Sequence, residues 1–412
     1  MKLRWQNFRC FVPYPGDRGA APAIDQAILD AMWTSSALHS ARTCLRGPQD
    51  DAVSEPAFST PAFEAPPSLS AAISTGEAAE GVGDTSTVRT INRGAFSTVT
   101  LVLDRLSGRY CALKASSKAR LLRAGCAESI VREKQALLAL QPHPFIAQLF
   151  WSAQDDECLY LLLQLGLGGD LRGVLLRRRQ SSYGPALAEE QVRFYAAVLV
   201  LVLEHLQGKG FVYRDLKPDN VLLDDRGYPL LCDFGTAVHV GSSGRAFTRT
   251  GTWEYAAPEQ LEGRGATMAS DWWSLGVVCF ECLADGLPFP FAADDTTQSP
   301  SHILQCISRR VHTYKMAEYL SPLAAEFVGA LLQPDERRRW QAASSVRSAG
   351  FFQGVAWEAL AARQLQPPFV PSLRGPADTC QFSHVDLRRD DDEMADIDGD
   401  GAPPWHASWE GF

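Results

Sequence analysis

The sequence lacks any apolar run long enough to cross a bilayer, which requires about 20 consecutive apolar residues. The longest apolar stretch, Tyr195 to Leu203, is about nine residues long and is expected to form a buried helix. The amino terminus has no continuous apolar core, so a secretory signal is not expected. Lys2, Arg4 and Arg9 precede the first acid, Asp17, which leaves an organellar transit peptide open.

Closely spaced cysteine pairs are also lacking. The ten cysteines are scattered, and the closest pair, Cys279 and Cys282, has no matching second pair. A four-thiolate zinc site is therefore not expected, and a reduced cytoplasmic or nuclear compartment is the simpler interpretation. The net charge of −9 disfavours nucleic-acid binding through phosphate contacts and suits basic protein partners.

Composition divides the chain into three regions. Residues 1–84 are rich in Ala, Pro, Ser and Gly and are predicted to be disordered, apart from a short helix around Ala23 to Trp33. Residues 85–352 are dense and globular, and residues 353–412 form a Pro-rich tail that turns acidic and ends in aromatics. Strand-like alternation precedes helical periodicity, which predicts an α+β domain with a small β-rich lobe and a large helical lobe. The predicted elements include a strand over Leu159–Leu165 and helices over Ala124–Leu140, Glu189–Leu206 and Trp272–Ala284.

Two polar segments between apolar runs carry a recognisable chemistry. Asp215, Lys217 and Asn220 lie in FVYRDLKPDNVLL, and Asp233 follows Asp215 by 18 residues in CDFG. Phosphoryl transfer needs a carboxylate that accepts the hydroxyl proton and oxygen ligands that hold Mg²⁺ against the phosphates. The two motifs at this separation are jointly very specific, whereas either alone is compatible with a solvated loop.

These motifs resemble those of eukaryotic protein kinases, and more narrowly the cyclic-nucleotide-dependent kinases of the AGC group. The narrower resemblance rests on Tyr213 in YRDLKPDN, on DWWSLGVV and on the tail segment PPFVPSLRGPADTCQF, and it covers residues 85–412. It implies a bilobal protein-kinase fold with an AGC-type carboxyl-terminal tail. The implied activity is transfer of the γ-phosphate of ATP, with Mg²⁺, to Ser/Thr hydroxyls in basic, arginine-containing peptide segments.

The resemblance assigns roles to individual residues. Asp215 and Lys217 would be catalytic, with a phosphate-binding Lys114 paired to Glu133, while Asn220 and Asp233 would hold Mg²⁺. The loop INRGAFSTV keeps only the middle glycine of the family pattern, with Asn92 and Ser97 at the outer positions, which predicts weakened ATP binding. The implied ATP-binding residues are Ile91, Asn92, Gly94, Phe96, Val99, Ala112, Lys114, Leu163, Gln164, Gly166, Asp170, Leu222 and Phe382.

Four acids and one threonine would connect the enzyme to its protein partners. Arginines two and three residues before the phosphoacceptor would bind to Asp170, Asp219, Glu254 and Glu281. Thr248 would be the activation-loop phosphosite, modified by an upstream kinase and bound by Arg214. Val238 and Ser129 stand where the cyclic-AMP-dependent kinase has further phosphate partners, which predicts weaker coupling of phosphorylation to activity.

Further expectations concern neighbouring surfaces and structural pairs. Arg249 and Trp253 replace residues of an apolar pocket, so no hydrophobic preference after the phosphoacceptor is expected. A buried Glu259–Arg339 pair and an Asp271 that anchors the catalytic loop are expected to be structural, and the aromatics of Trp409–Phe412 should dock beside the helix that carries Glu133.

Alternatives to the kinase interpretation and its regulation stay open at this stage. The degraded glycine loop is compatible with a pseudokinase that acts as a nucleotide-binding scaffold. A small-molecule kinase on the same fold is disfavoured by the acidic cluster. Any control by cyclic nucleotide would require a separate regulatory subunit, because the region before residue 85 is too short for the corresponding domain.

Overall fold

The structure is a computed structural model that describes residues 10–11, 85–181, 187–248, 250–284, 286–289, 300–310, 320–382, 409 and 412. The predicted disorder of residues 1–84 and the candidate helix at residues 23–33 lie outside the described residues, except for a two-residue strand, Cys10–Phe11. Arg249 also lies outside them.

An antiparallel sheet builds the small lobe, and its described part has six strands in the order β1-β5-β6-β4-β3-β2. Apolar residues cover both of its faces. Val102, Cys111 and Leu162 form a buried cluster on one side, and Ala112, Leu149 and other residues join the main core. The strands are β1 (Cys10–Phe11), β2 (Thr85–Arg93), β3 (Ser97–Asp104), β4 (Arg109–Ser117), β5 (Leu149–Gln154) and β6 (Cys158–Leu163).

Two helices follow β4, where the sequence predicted one helix over Ala124–Leu140. Helix α1 spans Lys118–Arg123 and α2 spans Ser129–Leu140. The prediction was wrong at its start because Gly125 takes a positive φ of 65° just after α1, a conformation that ends helices. Helix α2 buries Ile130, Leu137 and Leu140 in the main core, which holds it against the sheet.

Helices dominate the large lobe. The long α4 is buried on most of its surface, because it runs through the centre of the lobe against α6. Both central helices are slightly longer than predicted, whereas the strand predicted over Leu159–Leu165 ends at Leu163. The described helices are α3 (Leu171–Ser181), α4 (Glu189–Gly208), α5 (Pro258–Leu261), α6 (Met268–Ala284), α7 (Pro300–Arg310), α8 (Pro322–Leu331), α9 (Ala343–Arg347) and α10 (Trp357–Ala361).

Short strands at the lobe junction position the polar loops. Strands β7 (Gly169–Asp170), β9 (Val221–Leu223) and β10 (Pro229–Leu231) form one small sheet. Strands β8 (Phe211–Val212) and β11 (Val238–His239) form another. The loops that carry Asp215 and Asp233 connect these strands. No helix in the described part of the chain is both long and apolar enough to cross a membrane.

The carboxyl-terminal aromatics dock on the small lobe, as predicted. Trp409 is fully buried and its Nε1 donates to the carbonyl oxygen of Ala127 at 2.9 Å. Gln154 Nε2 donates to the Trp409 carbonyl oxygen at 2.9 Å, and Lys134 Nζ lies 4.8 Å from the centre of the Phe412 ring. Ala127 lies two residues before the first residue of α2, so the docked tail contacts the segment that leads into the helix that carries Glu133.

We expect Trp409→Ala to lower the free energy of unfolding by up to about 3–5 kcal/mol, because a fully buried indole is removed. Trp409→Phe keeps an aromatic ring but loses the N–H donor, so its cost should be nearer to about 1 kcal/mol. Denaturant unfolding of the two variants and the wild type measures both values. Equal stability of all three proteins would contradict the docking.

Candidate active site

A buried carboxylate holds the backbone of the catalytic loop, which is the segment between β8 and β9 that carries Asp215. Asp271, on α6, accepts hydrogen bonds from the backbone N–H groups of Tyr213 and Arg214, both at 2.8 Å. Arg214 takes a positive φ of 73°, and this strained conformation is held by those contacts. A side chain at Gly251 would come within 2.4 Å of the Arg214 carbonyl oxygen, so the activation segment approaches the loop too closely for any other residue. The predicted anchoring role of Asp271 is confirmed.

Asp215 is held by donors on both of its carboxylate oxygens. Oδ1 accepts the backbone N–H of Thr252 at 2.8 Å, and Oδ2 lies 2.9 Å from Lys217 Nζ. Asn220 Nδ2 also donates to Oδ2, at 3.0 Å. Lys217 Nζ in turn donates to Thr252 Oγ1 at 2.6 Å. The sequence did not single out Thr252, and its only signal was its place in the segment GTWEYAAPE.

A second charged group lies at the cleft between the two lobes, where β4 of the small lobe meets the segment that follows β10. Lys114, on β4, donates to both carboxylate oxygens of Glu133, at 2.9 and 2.7 Å, and to Asp233 Oδ1 at 3.2 Å. Burial opposes the charge on Lys114, but the Asp233 and Glu133 carboxylates outweigh it and raise the pKa of the ammonium. The same ammonium holds the pKa of Asp233 below its ordinary value. The predicted contact between Lys114 and Glu133 is present.

Buried residues of the main core pack next to both charged groups. Leu137, Leu149, Tyr213 and Phe234 are all almost fully buried, and the Tyr213 and Phe234 rings meet edge to face at 5.1 Å. The Tyr213 hydroxyl donates to the backbone carbonyl of Cys232. These residues belong to one core cluster, so α2, the catalytic loop and the segment of Asp233 pack together.

Some of the residues predicted to surround adenine contact one another. Ala112 and Leu163 face each other in the register of β4 and β6. The backbone N–H of Gln164 donates to the Gln148 carbonyl oxygen at 2.7 Å, and a Cβ at Gly166 would lie 2.6 Å from Leu222 Cβ. The turn Cys380–Phe382 contacts β7, and Arg177 Nη1 donates to the Gln381 carbonyl oxygen at 3.1 Å. The tail thus reaches the same side of the cleft.

The glycine-poor loop is the hairpin turn between β2 and β3, whose pairing has a register shift between Thr90 and Asn92. The Gly94 N–H donates to the Ser97 carbonyl oxygen at 2.8 Å, and none of Asn92, Gly94 and Ser97 has a positive φ. The nearest atom to a Cβ at Gly94 would be 3.7 Å away. In this conformation the outer positions do not require glycine, so Asn92 and Ser97 are compatible with an intact loop. Ile91 is buried and Phe96 is exposed.

Arg214 reaches the predicted phosphosite. Its Nη1 donates to the backbone carbonyl of Thr248 at 3.2 Å and its Nε to that of Thr236 at 2.7 Å. Burial lowers the pKa of Arg214 to about 10. The side chain of Thr248 is exposed. Trp253 lines a small pocket together with Ala246.

The predicted acidic cluster contains a guanidinium that the sequence did not single out. Arg172 Nη1 lies 2.5 Å from Glu281 Oε1, and Arg172 Nη2 lies 3.3 Å from Asp219 Oδ2. Asp170 accepts the backbone N–H of Gly173 at 2.7 Å, at the start of α3. Glu254 lies in the short turn Trp253–Tyr255 and is partly buried. Among these acids, Asp219 and Glu281 are therefore already paired within the chain.

Comparison with known proteins agrees with this geometry. A family model described as "Protein kinase domain" matches residues 85–351. The cAMP-dependent protein kinase catalytic subunit PRKX of Mus musculus is 34% identical over 310 residues, which cover 74% of this chain and 82% of that relative. The cAMP-dependent protein kinase catalytic subunit 2 of Drosophila melanogaster is 34% identical over 302 residues, covering 72% and 81%. A RAC family serine/threonine-protein kinase homolog of Dictyostelium discoideum is 33% identical over 309 residues, covering 74% and 66%.

The chain belongs to the protein kinase family. Its relatives place it among the serine/threonine kinases of the AGC group, and protein serine/threonine kinase is its enzymatic class. The predicted fold and the predicted enzyme class are confirmed.

Proposed function

We propose that this kinase transfers the γ-phosphate of ATP, with Mg²⁺, to Ser/Thr hydroxyls in arginine-containing peptide segments. The observation that carries the proposal is that Asp215 pairs with Lys217 and Asn220 in the catalytic loop, while Lys114 of the small lobe pairs with Asp233 of the large lobe. We further propose that residues 85–352 are the catalytic domain, residues 353–412 an AGC-type tail and residues 1–84 an extension.

The residues at the cleft fit Mg²⁺ and a nucleoside triphosphate. Mg²⁺ is usually held by one or two carboxylates together with substrate phosphates and water, and it would stabilise the charge on the transferring phosphoryl group. Asn220 and Asp233 offer oxygen donors of this kind, and the Asp233 side chain is half-exposed. In the described part of the chain, no group of three or more His, Cys, Asp or Glu side chains could hold a metal ion without such help.

Individual residues would have separate roles in phosphoryl transfer. Asp215 would accept the proton of the substrate hydroxyl, and Lys217 would hold that carboxylate and neutralise developing charge. Lys114 would position the phosphates while Glu133 fixes its ammonium. Asp271 would hold the backbone of the catalytic loop, and the Thr252 N–H would orient the Asp215 carboxylate.

Two observations support a basic peptide substrate. The chain has a net charge of −9, and Asp170, Asp219, Glu254 and Glu281 belong to the elements that border Asp215. The fit of the Arg172 guanidinium against Asp219 and Glu281 supports a cluster suited to guanidinium groups. Regulation by an upstream kinase at Thr248 and by a separate subunit are further proposals. The names of two relatives above include "catalytic subunit".

The pseudokinase alternative has no supporting observation beyond the glycine-poor loop. That loop is a hairpin turn closed by the hydrogen bond from the Gly94 N–H to the Ser97 carbonyl oxygen, and the ion pair of Lys114 with Glu133 is intact.

The specificity is tested by comparing kcat/KM for a serine peptide with arginines two and three residues before the serine against the same peptide with alanines there. We expect the arginine peptide to be preferred by roughly tenfold or more, since a hydrogen bond to a charged group is worth about 1.5–3 kcal/mol. Equal values for the two peptides would contradict the basic preference while leaving kinase activity intact.

A further inference from the structure

Arg172 occupies the acidic cluster in the manner of a bound ligand. It lies in the first turn of α3, and its guanidinium reaches Glu281 on α6 and Asp219 in the turn after the catalytic loop. It also contacts the hydroxyl of Tyr255. One guanidinium therefore bridges three separate segments of the large lobe.

The two oxygens of Glu281 are both engaged. Oε1 lies 2.5 Å from Arg172 Nη1 and 3.6 Å from Arg179 Nη2, and Oε2 accepts the Tyr255 hydroxyl at 2.7 Å. The Glu281 side chain is 3% exposed, so it offers little surface to an incoming group. Asp219 is half-exposed, but it shares the same guanidinium. Two cations and two carboxylates leave this part of the cluster without the net negative charge that attracts arginine.

We infer that Arg172 is a specificity-determining residue that fills one arginine subsite of the peptide channel from within the chain. The inference rests on the proposed function and deepens it. A substrate arginine would have to displace a tethered guanidinium whose effective concentration at the carboxylates is far above that of any free peptide. The kinase therefore gains from arginine at one of the two positions before the phosphoacceptor and not at the other. Glu254, in the turn Trp253–Tyr255, would serve the position that still discriminates.

The test uses four serine peptides that carry arginine two residues before the serine, three residues before it, at both positions or at neither. Initial rates with ATP and Mg²⁺ give kcat/KM for each peptide, and each value is divided by that of the peptide without arginine. These ratios are insensitive to an overall loss of active enzyme. They are measured for the wild type, Arg172→Met, Arg172→Lys and the control Arg178→Met, an exposed arginine on the same helix.

For the wild type we expect a ratio of roughly ten or more for one single-arginine peptide and a ratio within about threefold of one for the other. In Arg172→Met the position that did not discriminate in the wild type should gain by roughly tenfold, because the guanidinium that pairs with Asp219 and with Oε1 of Glu281 is removed. Arg172→Lys retains the charge and should resemble the wild type, as should Arg178→Met.

The remaining outcomes distinguish failure of the inference from failure of the proposed function. A wild type that already prefers arginine at both positions, or an Arg172→Met ratio that does not rise, would overturn the inference while leaving the proposed function standing. A rise in Arg178→Met as large as in Arg172→Met would overturn it as well. Absence of transfer to all four peptides by every protein would contradict the proposed function, and the inference would fall with it.

Discussion

Asp215→Asn should lower kcat by about 10²–10⁴-fold, the usual contribution of a positioned general base. The amide is nearly isosteric and can still accept the Thr252 N–H on its oxygen. It cannot take a proton from a hydroxyl, and its NH₂ group would face the Lys217 ammonium, which lies 2.9 Å from Oδ2 in the wild type. The effect should therefore fall on the rate of transfer, with ATP binding retained. Single-turnover transfer and nucleotide binding by calorimetry separate the two quantities.

Asp225→Asn is the matched control, because it makes the same chemical change at an exposed aspartate in the turn between β9 and β10. We expect its kcat to stay within about twofold of the wild type. A comparable loss of kcat in both variants, or retention of full activity in Asp215→Asn, would contradict the proposal that Asp215 accepts the proton of the substrate hydroxyl.

Replacing Arg339 by methionine should lower the free energy of unfolding by about 3–5 kcal/mol, because it leaves a buried carboxylate without its partner. Arg339 donates to Glu259 through both terminal nitrogens, at 2.7 and 2.9 Å, and neither side chain is exposed. The predicted pair is confirmed. For a domain of this size the change corresponds to a fall in Tm on the order of 10 °C.

Arg338→Met provides a neighbouring control. Its side chain is 80% exposed and its Nε lies 3.6 Å from Asp335 Oδ2, so we expect a change in the free energy of unfolding below about 0.5 kcal/mol. Similar stabilities of the two variants in denaturant unfolding would contradict the assignment of Arg339 as a structural anchor of the large lobe.

The same pair predicts a pH dependence of stability. Burial opposes ionisation of Glu259, but the hydrogen bonds from Arg339 outweigh it and hold the pKa of the carboxyl below its ordinary value of 4.5. The carboxylate therefore stabilises the fold above that pH, and the contribution is lost as the pH falls through the pKa of the folded state. The stability difference between wild type and Arg339→Met should narrow below about pH 4.5.

The sequence predicted the parts of the site that depend on local spacing. Asp215, Lys217 and Asn220 lie within one loop, so motif and spacing were sufficient to propose their grouping, whereas the pairing of Lys114 with Glu133, 19 residues later, was implied by the resemblance to kinases. The pairing of Glu259 with Arg339, 80 residues apart, was accessible only through the resemblance to kinases.

Other features depend on the three-dimensional fold and carry no local signal. In the sequence, nothing distinguishes Arg172 from the other arginines of its polar helix. Its contact with Glu281 depends on the positions of α3 and α6 in the fold. Likewise, the sequence pattern does not show that Asn92, Gly94 and Ser97 all avoid a positive φ, while the predicted weakening of ATP binding stays a prediction. Helix ends were also imprecise, because Gly125 interrupts a continuous helical pattern.

The most direct test of kinase activity at this site follows labelled phosphate from ATP into a degenerate pool of serine and threonine peptides in the presence of Mg²⁺. Wild type, Asp215→Asn and Thr248→Glu, which supplies a negative charge at the proposed phosphosite, are measured side by side. We expect label on serine or threonine at a rate on the order of 1–100 s⁻¹ in the wild type or in Thr248→Glu, and a loss of at least about a hundredfold in Asp215→Asn. Tight ATP binding without transfer to any peptide by any of the three proteins would contradict kinase activity at this site. It would leave a nucleotide-binding scaffold as the function.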